Sequence, residues 1–491
     1  MQPIYVLLVI AAYLGLLMLI SYFTSRKGTD NDAFFRANRS SKWHIVAFGM
    51  IGTSISGITF ISVPGWVGSI DMTYMQMVLG FFAGYLVIAY VLLPLYYRLN
   101  LTTIYGYLDK RFGGNSYKTG AWFFLLSKIL AAAVQLYLVA FILQTLVFNQ
   151  LDIPFFATVV GIVLIIWLYS FKSGIKTIIW TDWLQTLFFI TALVLILWQL
   201  ALQMGLDFRG IVTTVIESPH AQIFEFKSWS STQNFFKQFF SGMFITIVMT
   251  GLDQDKMQKN LTCKNLKEAR KNVISYGFAF IPINLLFLSL GVILLQFAQT
   301  NNIVLPKVAD NILPMLVSEY MSAFVLGIFI VGIVAAAFSS ADSALASLTT
   351  SFCVDILDMK SDNGSIELKK KNTRIRRVTH IAISIVFIGV TMVIYAIGSD
   401  SVIDVIYRMA SYTYGPLLGL YIVGLYTKLK PVDKYVPYIA FAAPVLCYVL
   451  EVFLLTIYDY QLGYEILLIN GALTAFGLYM ISMRNKNVVS S

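Results

Sequence analysis

Thirteen residues inside one long apolar run, Ala335 to Ser347 (AAAFSSADSALAS), carry four hydroxyls and an ionisable acid. At 100° per residue, Gly332, Ala336, Ser339, Ser340, Ser343 and Ser347 share one arc of a helix, with Asp342 at its edge beside Ser339. Two adjacent hydroxyls one turn after a small residue offer side-chain and carbonyl oxygens together, the donor set a hard cation such as sodium takes. The structural alternative is a stripe of small residues for close helix packing, with each serine bonded back to its own helix. Asp342 weighs against that alternative, because a lone carboxylate at membrane depth needs a cation or a partner.

Other stretches carry related chemistry. In GMIGTSISGITFISVPG (Gly49 to Gly65), small and hydroxylated residues crowd from Gly52 to Thr59. Such a run weakens a helix and brings backbone oxygens into reach of a guest; broken helices are tolerated in a bilayer where they line a cavity. Packing through small residues explains this stretch equally well by itself. Asp182, flanked by Thr181 and Gln185, is a second buried acid. It is either paired structurally or joins Ser339, Asp342 and Ser343 in holding a cation. Two acids on separate helices and almost no base at membrane depth favour the cation, with Lys128 as the base that could neutralise one of them. Lys128 itself is expected to snorkel from the start of its helix. In VMTGLDQDKMQKNLTCK, Asp253 is placed to reach a central cavity and Asp255 to sit at a solvated helix end. In SVIDVIYRMASYTYGPLLGLY, Asp404 and Arg408 are spaced to pair with each other, and Arg408 is otherwise a candidate for a substrate group. The Gly415-Pro416 step breaks the backbone ladder nearby.

The elements that must position these residues follow from composition. The chain has 491 residues, 58% hydrophobic and 12% charged. A water-soluble protein has nowhere to hide that much apolar surface, so the fold class is an all-α polytopic membrane protein. Apolar segments of spanning length predict thirteen helices, near 3–24, 44–65, 73–97, 119–148, 154–171, 177–204, 236–258, 273–298, 321–354, 378–397, 402–427, 436–457 and 463–483. Of the 35 Lys and Arg residues, 29 then fall in alternate loops, including Arg26, Lys27, Lys172, Lys256 through Lys271 and Lys360 through Arg377. That alternation places the N-terminus outside and the C-terminus in the cytoplasm, and it accounts for the net charge of +10 without a nucleic-acid partner. The run KKKNTRIRR (369–377) reads as a solvated cytoplasmic loop. The first apolar run lacks a basic segment before it, which favours a spanning helix over a cleaved signal peptide. Cys263, Cys353 and Cys447 lie too far apart for metal-type spacing, so neither a disulfide framework nor a zinc site is expected.

Taken in order, TSISGITFISVPG, WTDWLQ, GLDQDKMQ, AAAFSSADS and GPLLGLYIVGLYTK resemble the sodium:solute symporter family along nearly the whole chain. The resemblance implies a LeuT-like single transmembrane domain, with inverted five-helix repeats over 44–204 and 236–427 and flanking helices over 3–24 and 436–483. It implies a main sodium site from backbone oxygens of Gly52, Ile55 and Ala336 and hydroxyls of Ser339 and Ser340. Gly52 replaces the family's usual Ala, which should matter little for a carbonyl ligand. Some members hold a second sodium, whose positions match Asp182, Ser339, Asp342 and Ser343. Sialic acid carriers have Ser at the Asp342 position, and the extra acid here leaves a proton as the alternative occupant. Substrate positions map at or near Ser54, Ser56, Thr59, Gln76, Gln135, Asp253 and Arg408. Sialic acid carriers use an Arg in the helix matching 119–148. This chain has no Arg between Arg111 and Arg209, and Gln135 there suits a neutral sugar or polyol.

The expected protein is a sodium-coupled symporter of a bacterial inner membrane, with sodium as coupling ion and a small solute and the bilayer as its partners. The expected solute is a sugar or sugar derivative, with a small carboxylate second. No covalent chemistry and no obligatory protein partner are implied. A channel would need a continuous polar pore, where many buried positions here are bulky aromatics. A sensor would carry an output domain, and none is expected before Ser491. An intramembrane enzyme built on two paired acids is the remaining rival.

Overall fold

The computed structural model describes residues 3–25, 31–55, 57–170, 174–359, 366–397, 402–460 and 462–489. Ser56 and the loop residues Arg26, Lys27, Lys172 and Lys360 lie outside them. Among the described residues the only β pairing is an isolated bridge between Ser41 and Cys263; the rest is helix and connection. Among the described residues, eight helices are long and apolar enough to cross a bilayer, or ten when each of two bent pairs is one span. Two shorter apolar helices, Leu8–Thr24 and Phe155–Ser170, accompany them. Length and composition of the described residues alone do not reach the thirteen spans expected from hydropathy, and the helix Val402–Tyr426 is not among those counted.

The helix Ala323–Ser351 runs through the middle, with every residue from Phe329 to Ser351 buried. No face of this stretch meets lipid, which is why it can carry seven hydroxyls and an acid. A cluster of rings locks its neighbours around it. Phe60 lies 5.1 Å from Phe189 and 5.6 Å from both Phe287 and Phe329, centroid to centroid. The four rings come from four helices and are fully buried. Aromatic pairs at such spacing add roughly 0.5–1.5 kcal/mol each beyond their buried area. Outward faces are apolar and exposed, as at Phe441, Val445 and Val449, and a bilayer would solvate them.

Close backbone contacts set another part of the frame. A Cβ on Gly80 would lie 2.0 Å from the Phe239 carbonyl oxygen, and one on Gly242 would lie 2.3 Å from that of Met77. Glycine at both positions lets Tyr74–Val87 and Phe235–Thr246 pack backbone against backbone, the device membrane helices use in place of a hydrophobic driving force.

Two helices are broken. Trp43–Ser54 and the segment up to Ile70 differ in direction by 53°. Phe235–Gly251 and Gln254–Asn260 differ by 71°. The second break corrects the sequence reading. Lys256 and Lys259 were expected in a solvated loop and Asp255 at a solvated helix end. Instead the short helix turns inward, capped by Asp253, whose carboxylate accepts from the Asp255 N–H at 2.8 Å. Asp255 and Lys259 are each only 1% exposed. Their burial is tolerated because each has an oppositely charged partner, described below.

Candidate functional site

The site begins where Trp43–Ser54 ends. The Ile55 N–H donates to the Ile51 carbonyl at 2.8 Å, and Ile55 itself leaves helical geometry (φ −88°, ψ 86°). A helix end leaves its last carbonyls without intrahelical donors and concentrates partial negative charge there. Two ammonium groups converge on that end. Lys256 Nζ donates to the Thr53 carbonyl at 2.5 Å, and Lys259 Nζ donates to Thr53 Oγ1 at 2.8 Å.

Gly52 has a tighter role than expected. Its N–H donates to Thr186 Oγ1 at 3.1 Å, and the Thr186 hydroxyl in turn donates to the Asp182 carbonyl at 2.8 Å. A methyl group on residue 52 would lie 2.2 Å from Thr186 Oγ1 and 3.2 Å from its Cα. Beyond its carbonyl, residue 52 is thus constrained by packing: Ala there requires the helix Ile175–Gln203 or the Thr186 side chain to move.

Across the break, Asp182, Thr53, Ser339 and Lys259 join four helices. Ser339 Oγ donates to Asp182 Oδ1 at 2.5 Å and lies 3.0 Å from Thr53 Oγ1. Lys259 Nζ sits 2.6 Å from Asp182 Oδ2. The base expected to be missing at membrane depth is thus present. Asp342 faces another way: Tyr169 OH donates to its Oδ2 at 2.8 Å and Ser343 Oγ to its Oδ1 at 3.3 Å. Among the described residues no ion pair reaches Asp342. Ala336 abuts the second half of the broken helix, since a Cβ on Gly57 would lie 3.6 Å from its own. Among the described residues the buried hydroxyls of Ser340 and Ser54 have no hydrogen-bond partner. Both line the cavity described next and could meet a guest.

Ser54, Thr59, Gln135, Asp253 and Ser340 line one cavity of about 110 Å³, together with Lys128, Lys256 and Tyr414. Lys128 does not snorkel away. Its Nζ is 2.6 Å from Asp255 Oδ2 and 3.5 Å from Asp253 Oδ2. Tyr414 OH donates to the same Asp253 oxygen at 2.6 Å.

Two predicted substrate residues are elsewhere. Gln76 is fully buried under the connection of residues 218–234, accepting from the Glu225 N–H at 3.0 Å and donating to the Gln233 carbonyl at 2.9 Å. Arg408, its side chain 41% exposed, pairs with Glu451 at 3.1 Å rather than lining the cavity. The Asp404 side chain expected to pair with it lies outside the described residues. Thr53, Thr186, Tyr169, Tyr414, Lys256 and Lys259 were not singled out from sequence. Lys256 and Lys259 did carry a signal, because their i, i+3 spacing puts both on one helix face.

The sodium:solute symporter family model matches residues 34–430. The sodium/sialic acid symporter NanT of Aliivibrio fischeri is 28% identical over 85% of this chain and 82% of its own. The sodium/sialic acid symporter SiaT of Proteus mirabilis is 26% identical over 86% and 84%. The sodium/glucose cotransporter of Vibrio parahaemolyticus is 25% identical over 71% and 68%. In fold, the chain is similar to a substrate-bound, outward-open Na+-coupled sialic acid symporter, with a TM-score of 0.81, 22% identity and 97% coverage of both chains. A closed nucleobase-cation-symport-1 transporter follows at 0.59 and 14%, over 93% of this chain and 95% of that one. The chain belongs to the sodium:solute symporter family, whose members are transporters and not enzymes, and it is a multi-pass, sodium-coupled symporter of a small solute.

Proposed function

We propose that the solute is a sugar acid of the sialic-acid class, bound in the cavity between the broken helices. The observation that carries this reading is the cavity lining. Hydroxyls of Ser54, Thr59 and Ser340 and the amide of Gln135 suit a polyhydroxylated solute, and the ammonium groups of Lys128 and Lys256 suit its carboxylate. Lys128 stands seven residues before Gln135, two turns along the same helix face. It supplies the cation that the sequence lacked as an Arg. The two similar sialic acid symporters support the same class. A neutral sugar is the second reading, favoured by the Asp253 and Asp255 carboxylates that already offset both lysines.

The sodium that drives uptake binds the carbonyls of Gly52, Ile55 and Ala336 and the hydroxyls of Ser339 and Ser340. The unpartnered Ser340 hydroxyl supports this assignment. At about 110 Å³ the cavity is below the roughly 300 Å³ at which small-molecule pockets begin, so the helices part to admit the solute. The parting elements are inverted repeats over 44–204 and 236–427, in thirteen crossings of a bacterial inner membrane, N-terminus outside. Alternating access then releases ion and solute to the cytoplasm.

Thermal unfolding of the purified protein against N-acetylneuraminate, neutral sugars and small carboxylates, in sodium and again in potassium, tests this. A ligand at a hundred times its Kd stabilises by about 2.7 kcal/mol. The expected result is a shift with the sugar acid in sodium alone. A shift only with a neutral sugar selects the second reading. Equal shifts in both salts contradict coupled binding.

A further inference from the structure

Asp182, Ser339, Asp342 and Ser343 match the positions at which some family members hold a second sodium. In this chain that place has an occupant of its own. Lys259 Nζ lies 2.6 Å from Asp182 Oδ2 and 2.8 Å from Thr53 Oγ1, and Ser339 Oγ closes on the other Asp182 oxygen at 2.5 Å. A sodium placed against the same carboxylate would stand beside the ammonium, and two like charges that close in a water-poor interior repel strongly. The other acid, Asp342, has no basic partner among the described residues and accepts from the Tyr169 and Ser343 hydroxyls. The ammonium is held there by the fold. Lys259 is 1% exposed, and its helix is pinned at Asp253 and by Lys256 on the Thr53 carbonyl.

We propose that Lys259 is a tethered cation that takes the place of the second coupling ion, so that this chain binds and carries one sodium, beside Ser340 and the broken helix. The inference rests on the sodium-symport reading and deepens it. Because Lys259 cannot leave, its charge does no transport work. Solute accumulation would then scale with the first power of the sodium ratio across the membrane, where two coupled sodium ions would give the second power.

The test is equilibrium binding of radioactive sodium to the purified full-length protein in detergent, with sodium as the only probe. The wild type should saturate at one ion per chain with a hyperbolic isotherm. Lys259→Met frees Asp182 and should saturate at two, with a steeper isotherm. Lys259→Arg should stay at one, and the charge-balanced double variant Lys259→Met with Asp182→Asn should return to one. A wild type that binds two ions overturns the proposal and leaves the symporter reading intact. A folded Lys259→Met that stays at one also overturns it. A wild type that binds no sodium removes the symport reading, and the proposal falls with it. The wild-type count decides the matter even where Lys259→Met does not fold.

Discussion

Ser339 and Ser340 are neighbours held differently. The Ser339 hydroxyl donates its hydrogen to Asp182, which fixes the direction of its oxygen, while among the described residues the buried Ser340 hydroxyl has no hydrogen-bond partner. A ligand oxygen with no other partner is one that a hard ion would satisfy, and deleting it removes an ion contact without breaking a protein hydrogen bond. Ser340→Ala should therefore raise the sodium concentration for half-maximal binding about tenfold, equivalent to about 1.4 kcal/mol. A sodium titration of thermal stability reads this directly, and an unchanged midpoint would remove Ser340 from the ion site. The serine arc and Asp182 were legible from residue type and helical phase. The partner of Asp182 was not, because phase tells which way a side chain points and not what stands opposite. Arg408 illustrates the same limit, because its partner Glu451 belongs to a later helix that local spacing does not reveal.

At the scale of elements, the bent helices bring backbone polarity to the cavity, and the straight ones hold them in register. The contact between Tyr74–Val87 and Phe235–Thr246 matters most for the second break, since it fixes the helix from which the lysine-bearing segment turns inward. Gly242→Ala puts a methyl group 2.3 Å from the Met77 carbonyl, and overpacking of this kind costs about 1–3 kcal/mol. Its thermal midpoint should fall accordingly. Gly161→Ala, where nothing lies within 4 Å, should be neutral or slightly stabilising as a control. Equal midpoints for both variants would show that the two helices are free to separate. The break near Gly52–Thr59 was legible from its small residues. The 71° bend after Gly251 was not, because basic residues following an apolar run have the same signature as an ordinary cytoplasmic loop.

For the whole molecule, coupling requires that one conformation hold ion and solute together. The lysine-bearing helix, the broken helix and the buried central helix meet at Thr53, so each transport step must remake the same few contacts. In proteoliposomes, an inward sodium gradient should drive uptake of the solute above its equilibrium level, and a sodium ionophore should abolish it. Uptake that survives the ionophore would contradict sodium coupling.

By itself the sequence determined the class of molecule, since a chain 58% hydrophobic and 12% charged, with apolar segments of spanning length along it, carries more apolar surface than a water-soluble fold can bury. It also determined the family, through five motifs in order, and which helices carry oxygens at membrane depth. Only the tertiary structure decided which polar groups meet: Lys259 with Asp182, Lys128 with Asp255, and Gln76 with the connection of residues 218–234. A buried charge is stabilised by the particular group across from it, over distances of a few ångströms. That neighbour belongs to another helix far away in sequence, and hydropathy and periodicity, which are local, carry no record of it.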